Sequence, residues 1–508
     1  MTTLDYVVLV AYLVGVATFG ILAGGRQAST KDYFLGGRNL PWWAVCFSVV
    51  ATETSTLTVI GIPAVAYAGS LTFLQLTFGY LIGRIIVSII FLPRYYHGEL
   101  ATAYAFLGER FGDGMRATAS LTFLVTRLLA DGVRLFATAI PLKVLAGAAG
   151  LDVSYFAIIA VIGIITIVYT LIGGIRAVVW MDVVQMSVYL GGAVLSVWVL
   201  LSRVGPGWFA EAQEAGKTVL IDLALTDGIV GWLTSPYAFV TAVVGGAVFT
   251  MASHGTDQLI VQRLLTCRVL RDSQKALIWS GVLVFLQFAL FLVVGLLLWA
   301  YYQGASMDEL GLTRGDEVFP RFVIEGLPPG VSGLILAGIV AAAMSTLSSS
   351  LNALASSSMM DLYERFVGRE LAPDKALRAS RALTLFWGVV FIGFANLFQN
   401  QENPVVELGL AIASFTYGGL IGAFLLGLVN RRVNQADAMT SFLLTIAVMT
   451  LVIFGVWYSP EIGWTFILAP SAETAARLSL TSLAWPWYTV LGGALTLVAG
   501  SLMALRHR

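Results

Sequence analysis

The sequence predicts an all-α polytopic membrane protein of about thirteen transmembrane helices, with its N-terminus outside and its C-terminus inside. Three observations predict it. The 508-residue chain is 58% hydrophobic and only 11% charged, with mean hydropathy +0.86, and a soluble chain of that length needs far more polar surface. Apolar runs of about 20 residues recur between charged or Gly/Pro-rich breaks. Basic residues concentrate in alternate loops.

The runs centre on 5–24, 41–68, 71–93, 117–148, 153–173, 178–202, 230–252, 274–302, 331–362, 380–399, 405–429, 436–458 and 485–505. One set of alternate loops holds Arg26, Lys31 and Arg38; Arg94, Arg110 and Arg116; Arg176; and Arg263, Arg268, Arg271 and Lys275. On the same side fall Arg365, Arg369, Lys375 and Arg378, then Arg431 and Arg432, and finally Arg506 and Arg508. The opposite loops carry only Arg203, Lys217, Arg314, Arg321 and Arg477. The positive-inside rule makes the first set cytoplasmic, which requires an odd number of spans.

Several function classes are excluded. Net charge is zero, so the total suggests no nucleic-acid partner. Cys46 and Cys267 lie far apart without metal-type spacing. Met1-Thr-Thr-Leu-Asp5 lacks the positive region of a secretory signal, so the first apolar run reads as a retained span. With only His97, His254 and His507, there is no histidine pair for a metal. Neither a nucleophile elbow nor a phosphate loop is present, so an enzyme is not expected.

The second span carries Ala51-Thr-Glu-Thr-Ser-Thr56 at its centre, followed by Gly61-Ile-Pro63. Glu53 at that depth needs a partner or a water-filled cavity. Beta-branched and polar residues followed by Gly and Pro predict a helix broken near the midplane, which is tolerated only where backbone lines a cavity or binds something. A kinked, packed helix with Glu53 protonated or turned to water is the alternative. In the fourth span Arg127 and Asp131 stand at i, i+4 and can pair, leaving Arg134 in excess as a clamp for a carboxylate. Alternatively Arg134 snorkels to the interface. Asp182 begins an otherwise apolar helix and must meet a cation or arginine, or else lie at the interface balanced by Arg176. Gly245-Gly246 in the seventh span, with Pro236 before it, suggests a second interrupted helix and hence an inverted repeat. Glycine pairs also simply pack helices closely.

The ninth span holds the most distinctive pattern. After Gly333-Leu-Ile-Leu-Ala-Gly-Ile-Val340, the residues Ala342, Ser345, Thr346 and Ser349 fall at i, i+3, i+4 and i+7 on one stripe. Hydroxyls and freed carbonyls at bilayer depth, without fixed charge, suit a small dehydrated cation. The competing reading is that these hydroxyls bond back one turn or let helices approach closely.

At these residues the chain resembles the sodium/solute symporter family, in particular the branch with sialic-acid and monocarboxylate carriers. The resemblance runs from Asp32-Tyr-Phe-Leu-Gly-Gly-Arg38 to Tyr417-Gly-Gly419. It includes Gly173-Gly174, Ala177-Val178, Trp180-Met-Asp182, Gln185, Asp257-Gln258, Val261-Gln-Arg263, and the serine run through Asn352 to Asp361-Leu-Tyr363. It implies a LeuT-type 5+5 inverted repeat in one transporter domain over 1–508. The first repeat would be 41–202 and the second 230–429, with an extra helix at 5–24 and two more across 436–505.

The resemblance also implies a shared sodium site at Ala51, Thr54, Ala342, Ser345 and Thr346. A second sodium site, as in the sialic-acid carriers, maps to Asp182, Ser345, Ser348 and Ser349; the rival is that Asp182 only tunes the first site or gates sodium exit. Solute contacts map to Glu53, Ser55, Thr58, Gln75, Thr77, Arg134 and Thr138, with the Gly245 region as a further position. Proline carriers have an aspartate where this chain has Glu53, which leaves that acid open between ion coupling and solute. The expectation is a symporter importing a small polar solute by alternating access, driven by one or two Na+ ions. Arg134 favours a carboxylate-bearing solute, such as sialic acid, a monocarboxylate or an amino acid. The alternatives are a carrier of sugars or other neutral solutes, and a transporter-like sensor. Expected partners are the solute, sodium ions and membrane lipids, with no nucleic acid, in a monomer or weak oligomer of the cell membrane.

Overall fold

The computed structural model describes residues 2–148, 150–225, 228–312, 314–367, 371–398 and 405–507. Arg369, Arg508 and the end of the predicted span at 399 lie outside the described residues. Among the described residues, eight helices are long and apolar enough to cross a membrane. A ninth span is the bent pair Trp42–Glu53 and Thr56–Ala68. A helix lies over each of the thirteen predicted runs, so the architecture is helical throughout the apolar sequence.

The helices sort by burial. Thr3–Ala23 is only 11% buried over its apolar window and faces outward, whereas the window within Val331–Phe366 is 89% buried. Small residues explain the central position of Val331–Ser357. A Cβ at Gly338 would sit 3.0 Å from the Tyr189 Cα, and one at Gly333 would overlap the backbone of Asp5. The serine-bearing helix therefore packs backbone-close against both Tyr155–Leu201 and the first helix.

The break in the second span falls at Thr54-Ser55, inside the polar stretch, where the two pieces bend by 66°. Pro63 lies within the intact helix Thr56–Ala68, so Gly61-Ile-Pro63 does not make the break. The predicted spans 153–173 and 178–202 form one continuous helical stretch, Tyr155–Leu201, of 47 residues. At ~1.5 Å per residue that is roughly 70 Å, about twice a hydrocarbon core. Gly174 breaks it with φ 56 and ψ −157, a backbone that favours glycine.

Two expectations are corrected. Gly245-Gly246 does not interrupt its helix, because a π-turn Thr241–Gly245 runs directly into Gly246–Gly255. Those glycines serve close packing: a Cβ at Gly245 would overlap Pro486, and one at Gly246 would press on Leu76 at 3.0 Å. The interruption lies earlier, between Gly228–Thr234 and the π-turn, around Pro236. The chain is also not wholly α. The helix Gln435–Gly455 ends before Val456-Trp-Tyr458, whose β-branched and aromatic residues form strand β1 (Val456–Ser459). It pairs antiparallel with β2 (Gly463–Phe466) and β3 (Thr481–Ser482), in the order β2-β1-β3.

Candidate functional site

Two contacts lay the broken helix against the serine helix. Thr56 Oγ1 donates to the Ile339 carbonyl at 3.1 Å, and the Thr52 and Ser349 hydroxyls lie 3.2 Å apart. These bracket Ala51–Thr54 against Ala342–Thr346, and all five residues mapped to the shared sodium site are buried. The break supplies the oxygens. Ser55 N–H, which in an unbroken helix would bond Ala51, donates instead to Thr58 Oγ1 at 3.3 Å. Thr54 Oγ1 donates to the Val50 carbonyl at 2.8 Å and accepts from Gln287 Nε2 at 2.6 Å. Thr346 Oγ1 bonds back to the Ala342 carbonyl at 3.1 Å. A buried set of carbonyls and hydroxyls without fixed charge fits a small hard cation.

The four residues mapped to the second sodium site share one network. Ser345 Oγ donates to Asp182 Oδ1 at 2.6 Å, while Ser348 and Ser349 bond back to the Ser345 carbonyl at 3.0 and 2.6 Å. Back-bonding thus holds for Thr346, Ser348 and Ser349, whereas the Ser345 hydroxyl points to a carboxylate.

Asp182 is fully buried, and its arginine is Arg263 at 3.6 Å; Arg176 is exposed, so an interfacial balance by Arg176 is overturned. Arg263 is itself fully buried, bonding Ser48 at 3.0 Å, Ser349, and the Leu259 carbonyl at 2.7 Å. Ser48 completes the set by donating to Asp182 Oδ2 at 2.5 Å. Sequence reasoning counted Arg263 and Arg116 as loop cations, yet both are buried. The signal that separates Arg263 is Asp257, a second charge one helix turn and more earlier, which caps the wholly buried helix Gln258–Leu264.

The solute set divides. Ser55, Arg134 and Thr138 line one recess together with Asp131 and with Thr346 of the sodium set. Thr138 Oγ1 donates to Thr56 Oγ1 at 2.9 Å, tying this wall to the broken helix. The recess lies beside a larger cavity of about 410 Å³, walled by Leu57, Ile60, Ile140 and Pro141 and rimmed by Arg314, Asp316, Glu317, Arg321 and Glu325. Thr58 touches the site only through its bond with Ser55.

Three solute positions are held elsewhere. Gln75 Nε2 donates to the Tyr237 carbonyl at 2.7 Å, and its oxygen accepts from Asp222 N–H at 3.3 Å. Thr77 bonds back to the Leu74 carbonyl at 2.6 Å. Glu53 is partnered by the fully buried Arg84, with His254 Nε2 at 3.7 Å. An arginine in mid-span at Gly83-Arg84 was the sequence signal for that pair.

The Arg127–Asp131 pairing is present at 3.6 Å, but neither partner is exclusive to it. Arg127 bonds Asp257 and Tyr417 and stands 3.6 Å from Asp131, whereas Arg134 Nη1 donates to Asp131 at 3.2 Å. Asp131 therefore takes up the guanidinium that counting by spacing left in excess. Ser350, from the serine helix, donates to its other oxygen.

A broken helix beside a polar recess, in a bundle of apolar helices of membrane-spanning length, marks a helical membrane transporter. The chain belongs to the sodium:solute symporter family, whose sequence model matches residues 33–445. It is a multi-pass, sodium-coupled solute symporter. The sodium/sialic acid symporter NanT of Aliivibrio fischeri is 30% identical over 450 residues, covering 88% of this chain and 86% of that one. The human sodium/iodide cotransporter is 30% identical over 472 residues, covering 91% and 71%. The solved structure of a Na+-coupled sialic acid symporter, substrate-bound and outward-open, matches with TM-score 0.83 and 26% identity over 99% of this chain and 98% of that one. Mhp1, a nucleobase-cation-symport-1 family transporter, shares the fold with TM-score 0.51 at 15% identity over 95% of each chain.

Proposed function

We infer that this symporter imports a small carboxylate-bearing solute, such as sialic acid, a monocarboxylate or an amino acid. The observation that carries the reading is that Arg134 and Thr346 line one recess. A guanidinium for a carboxylate and a hydroxyl of the sodium set therefore face one recess of about 10 Å³, which must widen to admit a solute. Relatives named as sodium/sialic acid symporters support the class of solute.

Sodium is taken at Ala51, Thr54, Ala342, Ser345 and Thr346, and a second ion at Asp182, Ser345, Ser348 and Ser349. Solute meets Ser55, Arg134 and Thr138, and Thr58 supports Ser55, while Glu53, Gln75 and Thr77 stand outside that recess, held by Arg84, Tyr237 and Leu74. The repeats are 41–202 and 230–429, flanked by 5–24 and 436–505. Thirteen spans place the N-terminus outside and the C-terminus inside a cell membrane. Inward sodium then gains about 2.3 kcal/mol per charge per 100 mV from the membrane potential. Sodium favours the conformation in which the recess is formed, a shift through differential binding.

The test is a thermal-shift screen of the purified protein against carboxylates, sugars and neutral amides, each in sodium and in potassium. A carboxylate that stabilises only in sodium, and not in Arg134→Ala, meets the proposal. A neutral sugar that stabilises Arg134→Ala as well as wild type sinks the carboxylate assignment.

A further inference from the structure

Apart from Asp5, every carboxylate held among the spans of the described residues faces an arginine. The pairs are Glu53 with Arg84, Asp131 with Arg134, Asp182 with Arg263, Asp257 with Arg127, and Asp361 with Arg116. Asp5, buried at the end of the bundle, instead accepts from the backbone of Thr2, Gly330 and Gly333. Among the described residues the polar interior away from Asp5 is therefore charge-balanced, and Arg134 meets a solute carboxylate while already neutralised by Asp131.

In a low-dielectric recess that balance has a consequence. Sodium arriving alone adds an uncompensated positive charge, and a carboxylate arriving alone adds an uncompensated negative one; both are costly at bilayer depth. Arriving together they cancel. Asp131 sets this balance where the two ligands meet. It accepts from Arg134 at 3.2 Å on the recess wall and from Ser350, one turn beyond Thr346 on the serine helix. Arg127, 3.6 Å away, is shared between Asp131 and Asp257, so the cluster of Arg127, Arg134, Asp131 and Asp257 is neutral as a whole and loses that balance when either Asp131 or Arg134 is neutralised.

We propose that Asp131 is the residue that couples the two ligands: by neutralising Arg134 beside the serine helix, it makes the recess bind a cation and an anionic solute as a pair. The proposal rests on the solute reading above, and it identifies a coupling position that touches Arg134 and Ser350. It also gives the solute's own charge a role, as the counter-ion of sodium.

The experiment measures sodium affinity of the full-length protein without solute, from sodium-induced thermal shifts at constant ionic strength in choline. Asp131→Asn leaves Arg134 uncompensated and weakens sodium roughly tenfold, whereas Arg134→Gln leaves Asp131 uncompensated and tightens it roughly tenfold. The double variant Asp131→Asn/Arg134→Gln is neutral again and returns to within about twofold of wild type. With N-acetylneuraminate as probe, Asp131→Asn binds the anion without sodium. Unchanged sodium affinity in either single variant overturns the proposal, as does a double variant as weak as Asp131→Asn. Should Asp131→Asn fail to fold, Arg134→Gln and the double variant decide the matter by the same criteria. If the sodium affinities move as stated while Arg134→Gln binds carboxylates like wild type, the solute reading fails and the charge balance stands.

Discussion

Ser345 Oγ donates to Asp182 Oδ1 at 2.6 Å, joining the serine helix to the kinked Tyr155–Leu201 helix. The same hydroxyl belongs to both sodium sites assigned by family resemblance, so one substitution tests both. Ser345→Ala should weaken sodium activation of uptake by at least roughly tenfold, a loss of about 1.4 kcal/mol. Proteoliposome uptake against sodium concentration measures it, and an unaltered half-saturation would place the ion elsewhere. If Asp182 holds a second ion, Asp182→Asn lowers the sodium Hill coefficient toward one.

Arg263 is the buried cation that balances Asp182. Removing it in Arg263→Gln strands a carboxylate among apolar helices, at a cost of about 3–5 kcal/mol. Arg263→Lys keeps the charge but cannot bond Ser48, Ser349 and the Leu259 carbonyl at once, because an ammonium lacks the planar fork. The expected order of melting temperature is wild type, then Lys, then Gln. Equal melting of Gln and wild type would rule out a charge-pairing role.

Gly295 lets Leu270–Tyr301 lie against the second piece of the broken helix. A Cβ there would overlap the Pro63 carbonyl oxygen. Gly295→Ala should destabilise by about 1–3 kcal/mol, the range for overpacking a close contact. Thermal melting reads the stability, and sodium-driven uptake should fall with it. Gly15 is the control: a Cβ added there would meet nothing within 4 Å, so the position should tolerate alanine.

Asp316 rims the 410 Å³ cavity outside the spans, where burial raises its pKa, Arg314 opposes the shift and Glu317 adds to it. The folded protein therefore holds this proton in a window opening upward from the ordinary aspartate value of about 4. The unfolded chain has lost it there, so the contribution of Asp316 to stability is greatest at the low end and falls as pH rises. Asp316→Asn should flatten that part of the melting profile. A profile of the same slope in both proteins would refute the assignment.

The sequence by itself determined the membrane class, the run of apolar helices, the break within Ala51–Thr56 and the hydroxyl stripe from Ala342 to Ser349. Each is written in a local pattern: hydropathy length, polar residues where none belong, and the helical repeat. Family motifs added residue-level expectations, and the structure brings Ser55, Arg134, Thr138 and Thr346 to one recess. Only the tertiary structure decided the charge partners. Spacing along one helix offered Arg127 to Asp131, and the two stand 3.6 Å apart; packing adds Asp257, 130 positions away, to Arg127, and Arg134 to Asp131. Asp182 likewise finds Arg263 rather than nearby Arg176, and Glu53 finds Arg84. Hydropathy and periodicity are properties of neighbours in the chain, whereas a buried charge is satisfied by whichever opposite charge packing brings within a few ångströms. Gly245-Gly246 shows the same limit, since the sequence marks a flexible point and only the facing Pro486 shows that it is a close contact.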